Sequence, residues 1–409
     1  MFRSFRYRLA PTPEQAERFA QFSGVCRLIY NLAWEQRRDF WRQYKRQTGR
    51  RISFPSQCRE LTALRAQFKW IAAVERVCQE QALRDLDRAF DNFFNGRCKY
   101  PSPRSLRDGT GVRFMAKDVS TRKLNAKWSE VRLPKIGWVK FRNTRELQGM
   151  PKNVTLSRDA LGWHVSFACE IAADIQATRL PGVGIDRGVA NTLALSTGEV
   201  FSLPRSMAVI ERRKRRAQRA MARKKRGSNR RMKAKRRVAR LSAKIARIRK
   251  DWHHRTALAL AQRFGTAAME SLRVSAMTAS AAGTIDAPGK GVRQKAGLNR
   301  AILNQGWYAF EAILAYKLEE RGGSLVKVPA AYTSQTCSEC GVIDAKSRES
   351  QAVFGCRHCG FTAHADHNAA LNILRRSTSA MRAEGHQSCL SETRTGSGTT
   401  AENQAARAA

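Results

Sequence analysis

Residues 181–199 read PGVGIDRGVANTLALSTGE, and the rest of the chain takes its place from how they fold. Val183 to Ile185 have the apolar character of a buried strand, and that strand ends on a carboxylate, Asp186. Gly188 permits a turn, and residues 191–197, NTLALST, read as a second strand stopping at Gly198. An acid at a strand end beside a hairpin is a common place for a metal-binding carboxylate. Taken alone, the residue is more often a turn-former.

Two further acids change that balance. In FGTAAMESLRV, Glu270 follows a short apolar run, and alone it reads as a surface residue at a strand end. In DHNAALNILRR, Asp366 opens a helical pattern, where Asp is a common cap. Together they give an order: strand-end Asp, strand-end Glu, helix-start Asp. A two-metal phosphodiester nuclease of the RNase H-like class needs that order. Magnesium is a hard ion that prefers carboxylate oxygen, and three carboxylates from distant segments offset the charge of two such ions.

Between the last two acids lies TCSECGVIDAKSRESQAVFGCRHCG, with Cys337-x2-Cys340 and Cys356-x2-Cys359. The spacing is that of a four-thiolate zinc site, in which each pair closes a tight turn and aims two sulfurs at one ion. His358, His364 and His367 are extra candidate ligands, but four cysteines already close a structural site and leave no open position for catalysis. The other six cysteines are scattered, which predicts a reducing, cytosolic setting rather than a disulfide scaffold.

The charge balance names the partner class. There are 76 Lys and Arg against 33 Asp and Glu, a net charge of +43. That field points to nucleic-acid phosphates. Residues 211–250 alone carry 21 Lys or Arg and one acid in a helical pattern with a turn at Gly227-Ser228-Asn229. A solvated charged helix pair would repel itself at this density without a polyanion. No apolar run is long enough to span a bilayer, and MFRSFRYRLAPTPEQ has no signal-peptide core.

Upstream, residues 4–9 alternate as a strand, and Thr12-Pro13-Glu14-Gln15 reads as a capped helix start. Helical patterns run to about residue 95, with Leu83, Leu86, Phe90 and Phe93 on one face and Gly96 as a stop. Residues 110–172 turn to short strands, with a hairpin at Asp159 to Gly162 and Trp163, Val165, Phe167 and Cys169 on one face. This predicts a small β domain with a helical insertion. Residues after 376 are Ser/Thr/Gly/Ala-rich and read as a disordered tail.

The motifs GIDRGV, ESLRVSAM, GLNRAILNQGW, YKLEERGG, TSQTCSECG and CRHCGFTAHADHNAALNIL, in this order, resemble the TnpB (OrfB) family of transposon-encoded RNA-guided endonucleases, relatives of type V CRISPR effectors. RYRLAPTPEQ and QALRDLDRAFDNFFNG are similar too, so the resemblance covers roughly residues 1–376. It implies an α/β fold with added α and β modules: an RNase H-like (RuvC) nuclease domain with an inserted zinc ribbon, after a β-barrel-like wedge domain carrying a helical recognition insertion. The expected bounds are 1–12 for the first wedge strand, 13–108 for the helical insertion and 109–178 for the rest of the wedge. The nuclease domain takes 179–376, with a basic hairpin at 205–255, a lid at 275–297 and the ribbon at 337–360; the tail takes 377–409. The resemblance further implies Asp186, Glu270 and Asp366 as the catalytic triad on two Mg2+, and one structural Zn2+ on Cys337, Cys340, Cys356 and Cys359. The implied partners are a guide RNA from the transposon end and double-stranded target DNA beside a short motif.

Three other readings compete. A strand-transferring transposase would use the same acids but would not explain the ribbon between the last two. A nuclease-dead RNA-guided repressor would not need a complete triad. A zinc-finger regulator leaves Asp186 and Glu270 unexplained.

Overall fold

The computed structural model describes residues 2–44, 52–106, 111–172, 175–284 and 286–394, with side chains to residue 379. The chain divides into two compact units, residues 1–173 with 220–243, and residues 174–219 with 244–409.

In the first unit, strand β1 (Phe2–Ala10) leads into helix α1 (Pro13–Gln43), followed by α2 (Phe54–Gln67) and α3 (Arg76–Phe94). The start of α1 is a capping box. The Gln15 amide donates to Thr12 Oγ1 (3.3 Å), the Thr12 amide donates to Gln15 Oε1 (3.1 Å), and Pro13 fills the first helical position. Six strands follow: β2 (Val112–Met115), β3 (Ser120–Lys123), β4 (Trp128–Leu133), β5 (Gly137–Arg142), β6 (Met150–Asp159) and β7 (Gly162–Glu170). The β6–β7 hairpin turns where the sequence predicts, held by the Leu161 amide on Asp159 Oδ1 (2.7 Å).

The seven strands lie in the order β2-β6-β7-β1-β5-β4-β3. β1 joins the two halves: residues 2–8 pair with β7, and Leu9 and Ala10 with β5. The expected barrel is not formed. The two edges, β2 and β3, are four residues each and do not pair with one another, and every residue of β3 is exposed. An edge strand with no buried face has nothing to drive closure. Phe5, Tyr7, Phe141, Phe167 and Trp163 fill the core, and Phe19 of α1 meets Trp163 edge-on at 5.1 Å.

The basic run forms α4 (Arg205–Ala222) and α5 (Asn229–Arg263), with Gly227 in the left-handed region (φ 82°) between them. α5 runs past the expected end at 255, because its last turns bury His253, Thr256, Ala257, Leu260 and Ala261.

The second unit is built on β8 (Gly182–Asp186), β9 (Leu193–Leu195), β10 (Val200–Phe201), β11 (Thr266–Glu270) and β12 (Ser324–Val328). The order is β10-β9-β8-β11-β12, with β8, β11 and β12 parallel. Helices α6 (Val292–Gln305) and α7 (Trp307–Glu319) come between β11 and β12. α6 therefore begins inside the stretch expected as a lid. The hairpin β13 (Val353–Gly355) and β14 (Thr362–His364) leads into α8 (Ala365–Arg394). This helix continues past 376, so the start of the expected tail is helical; residues 395–409 lie outside the described residues.

α8 lies directly on β8. A Cβ at Gly184 would meet the Ala370 carbonyl oxygen at 2.0 Å and the Leu374 amide at 2.8 Å. Gly184→Ala must therefore lift the helix, and its melting temperature is expected to fall by roughly 5 °C or more. Gly182→Ala, with its nearest contact at 3.4 Å, is expected to melt within about a degree of the parent. Thermal melts of the two variants side by side check this. No helix among the described residues is long and apolar enough to cross a membrane.

Candidate active site

The sheet brings the first two acids together by register. β8 and β11 run parallel with Ile185 opposite Met269, so Asp186 and Glu270 end neighbouring strands at the same edge. Asp366 sits in the first turn of α8, where the helix dipole favours a negative charge, and α8 is held on β8 through Gly184. The three carboxylates feel one another. Burial pushes the Asp186 carboxyl up to about 7, and the charges of Glu270 and then Asp366 add to the rise. The Arg187 backbone N–H and the Arg348 charge oppose the rise but do not cancel it.

Neighbouring residues fix each acid. Asn191 Nδ2 donates to Asp366 Oδ2 (2.9 Å). The buried Thr333 hydroxyl donates to Glu270 Oε1. Arg187, the buried residue after Asp186, donates to the Glu270 carbonyl and to Glu311 Oε2 (3.0 Å), and Lys327 pairs with the same Glu311. Arg187 thus ties the ends of β8 and β11 together, and its charge is matched by Glu311.

Two of the candidate metal histidines, His364 and His367, have other partners, and His358 is exposed. His364 Nδ1 accepts from the Asp366 amide (3.2 Å), and His367 Nε2 donates to the Ser196 carbonyl (3.2 Å).

The four cysteines converge. Cys337 and Cys359 sulfurs lie 3.7 Å apart, Cys340 and Cys356 sulfurs 3.6 Å apart, and all four fall within 4.8 Å of one another. A tetrahedral zinc with Zn–S of about 2.3 Å needs sulfurs about 3.8 Å apart, so the donor set fits. The backbone N–H of Cys359 lowers the Cys356 thiol, while burial raises Cys337, so the four crowded sulfurs do not share one acidity.

The cysteine ribbon is fastened to the acids by two buried asparagines of α8. Asn368 accepts from the Ser338 amide (2.9 Å) and donates to the Thr336 carbonyl (2.8 Å). Asn372 donates to the carbonyls of Thr333 (3.0 Å) and Thr336 (2.7 Å). One loop, residues 333–338, therefore touches Glu270 at one end, Cys337 at the other and α8 throughout. Sequence reasoning passed over Asn191, Thr333, Asn368 and Asn372. The signal available was two amides four apart on the alanine-lined face of NAALN, where a polar side chain must be buried with partners.

Known proteins resemble this chain along most of its length. The OrfB profile of IS605, described as "Probable transposase", matches residues 168–281. A "Cas12f1-like, TNB domain" profile matches residues 307–373, and a "Helix-turn-helix domain" profile matches residues 1–46, a stretch that holds β1 and α1 here. "Putative RNA-guided DNA endonuclease InsQ" of Escherichia coli (strain K12) is 36% identical over 376 residues, 91% of each chain. A "Putative RNA-guided DNA endonuclease" of Streptomyces pristinaespiralis is 31% identical over 376 residues, 91% of this chain and 88% of that one. The Cas12f1 chain of a solved Cas12f1-sgRNA-target DNA complex superposes with a TM-score of 0.59 at 15% identity, covering 88% of this chain and 83% of that one, a likeness of fold. The identity over 91% of the chain, the ordered motifs and the shared α/β fold have one reading: the chain belongs to the TnpB (OrfB) family of IS605-type transposable elements.

Proposed function

We propose that this chain is an RNA-guided DNA endonuclease of a transposable element. In this reading Asp186, Glu270 and Asp366 hold two magnesium ions, and Cys337, Cys340, Cys356 and Cys359 hold a structural zinc. A guide RNA from the element's end supplies sequence specificity by base pairing, and the protein reads a short adjacent DNA motif and duplex shape. The RNase H-like nuclease domain spans 179–376, and the first unit grips the RNA and its duplex with DNA.

The observation that carries the reading is that Asp186 and Glu270 end neighbouring parallel strands and that Asp366, from the first turn of α8, adds its charge to theirs, in a +43 chain. The donor set is all carboxylate oxygen, which suits a hard ion, and the charges of Glu270 and Asp366 raise the Asp186 carboxyl despite Arg348 nearby. Bound magnesium would supply a water-derived nucleophile and stabilise the leaving oxygen. The chain's own residues orient the carboxylates. Asn191 holds Asp366, Thr333 holds Glu270, and Arg187 fixes the strand ends without competing for the acids' oxygens.

The deciding experiment expresses the chain with its native flanking DNA and sequences the RNA that co-purifies. One abundant RNA from the element's 3′ boundary, ending in a variable segment, is expected. Plasmid carrying the matching target should then be cut on both strands only when magnesium is added. Heterogeneous RNA, with tight binding instead to the element's DNA ends, would favour the strand-transfer activity that the profile's wording suggests.

A further inference from the structure

Gln305 ends α6 in the stretch NQGW and is buried. A buried side-chain amide is costly unless both of its ends are bonded. Both ends are, and both partners lie in one short loop. Gln305 Nε2 donates to the Val189 carbonyl (3.0 Å), and Oε1 accepts from the Thr192 hydroxyl (3.0 Å). Thr192 Oγ1 in turn accepts from the Leu203 amide (3.1 Å). The backbone of Gln305 is fixed as well. Its carbonyl accepts from Nε2 of the buried His253 of α5 (3.0 Å), and Gly306, in the left-handed region (φ 68°), turns the chain directly after it.

The loop held in this way, residues 187–192, joins β8 to β9. Between the buried Arg187 and Thr192 it has little packing of its own: Gly188, Val189 and Asn191 are half-buried and Ala190 is exposed. Its place therefore depends on hydrogen bonds more than on apolar contact. Asn191 sits between the two points that Gln305 grips, and its Nδ2 donates to Asp366 Oδ2 (2.9 Å). One of the three acids is thus oriented from α6, a helix that carries no acid itself.

We infer that Gln305 is a positioning residue of the carboxylate site: by clasping the β8–β9 loop at Val189 and Thr192 it sets Asn191, and through Asn191 the orientation in which Asp366 meets a divalent cation. The inference rests on the metal-binding reading above but needs neither nucleic acid nor cleavage.

The full-length protein, free of nucleic acid, is titrated with manganese, a hard ion that suits the same carboxylate oxygens, and free Mn2+ is counted by its paramagnetic resonance signal. The parent is expected to bind saturably. Gln305→Met keeps the volume and loses both side-chain bonds. It is expected to weaken binding about tenfold, as loss of a residue that orients a metal ligand does. Asn191→Ala should cost about the same. The double variant decides between a positioning role and a general loss of structure. If Gln305 acts through Asn191, the double variant binds no more weakly than Asn191→Ala alone, whereas independent effects would multiply to about a hundredfold. Thr192→Val opens the clasp from the loop's side. It should weaken binding in the same way, again without adding to Asn191→Ala, and it carries the test if thermal melts show that Gln305→Met does not fold. Parental manganese affinity in either folded variant overturns the proposal, and so does a multiplied loss in the double variant. A parent that binds no manganese overturns the carboxylate–metal reading, and this inference with it.

Discussion

Replacing Cys356 and Cys359 together by alanine is expected to abolish DNA cleavage although no carboxylate is touched. The path is physical. The zinc would clamp Cys337 and Cys340 to the second pair, and Cys337 ends the loop whose Thr333 holds Glu270 and whose carbonyls hold Asn368 and Asn372 on the Asp366 helix. In small metal domains the ion supplies on the order of 10 kcal/mol of folding energy, so the ribbon cannot keep its shape without it. Nucleic-acid binding through the basic helices α4 and α5 should survive. A matched pair of assays, plasmid cleavage and filter binding, decides the matter, and cleavage at the parental rate would sink the idea. Asn368→Ala and Asn372→Ala should give partial losses, because each removes one fastening and leaves the zinc cluster intact.

Asp186→Asn is expected to reduce cleavage by about 10³-fold or more, as loss of a catalytic-unit member does, and at the same time to stabilise the metal-free protein. The sign follows from the pKa. A carboxyl at about 7 in the folded chain and about 3.9 in the unfolded one binds its proton more tightly when folded. Its contribution is favourable below about pH 4 and is lost as pH rises through about 7, a loss of at most a few kcal/mol. The metal-free parent should therefore melt progressively lower from pH 5 to pH 8, and the asparagine variant should not follow it. At pH 8 the variant should melt several degrees higher. Added magnesium should raise the parent's melting point more than the variant's, since the variant keeps only Glu270 and Asp366 of the three repelling charges. Parallel scans at the two pH values, with and without magnesium, test all four expectations.

Local features of the fold were the readable ones. The Thr12 capping box, the Asp159–Gly162 turn and the strand ending at Asp186 are each specified by a few adjacent residues. Strand order was not readable from adjacent residues. β11 lies between β8 and β12, and parallel pairing depends on crossovers rather than on turn chemistry. The barrel expectation failed for a related reason, since closure depends on edge strands finding one another, and β2 and β3 are short and β3 buries no face. In the site, the acids and cysteines stood out because their spacing is unusual. The asparagines that fasten them did not, because an amide on a helix looks like surface until its partners are known.

The joint of α8 on β8 at Gly184 also sets a timetable. Asp186 and Glu270 can pair as soon as β8 and β11 have been made, but Asp366 enters with one of the last elements of the chain, after the ribbon. A polypeptide emerging from the ribosome therefore has its basic helices well before it has a complete acid cluster. On the proposed reading the acid cluster is completed last, after all four cysteines of the ribbon have been made.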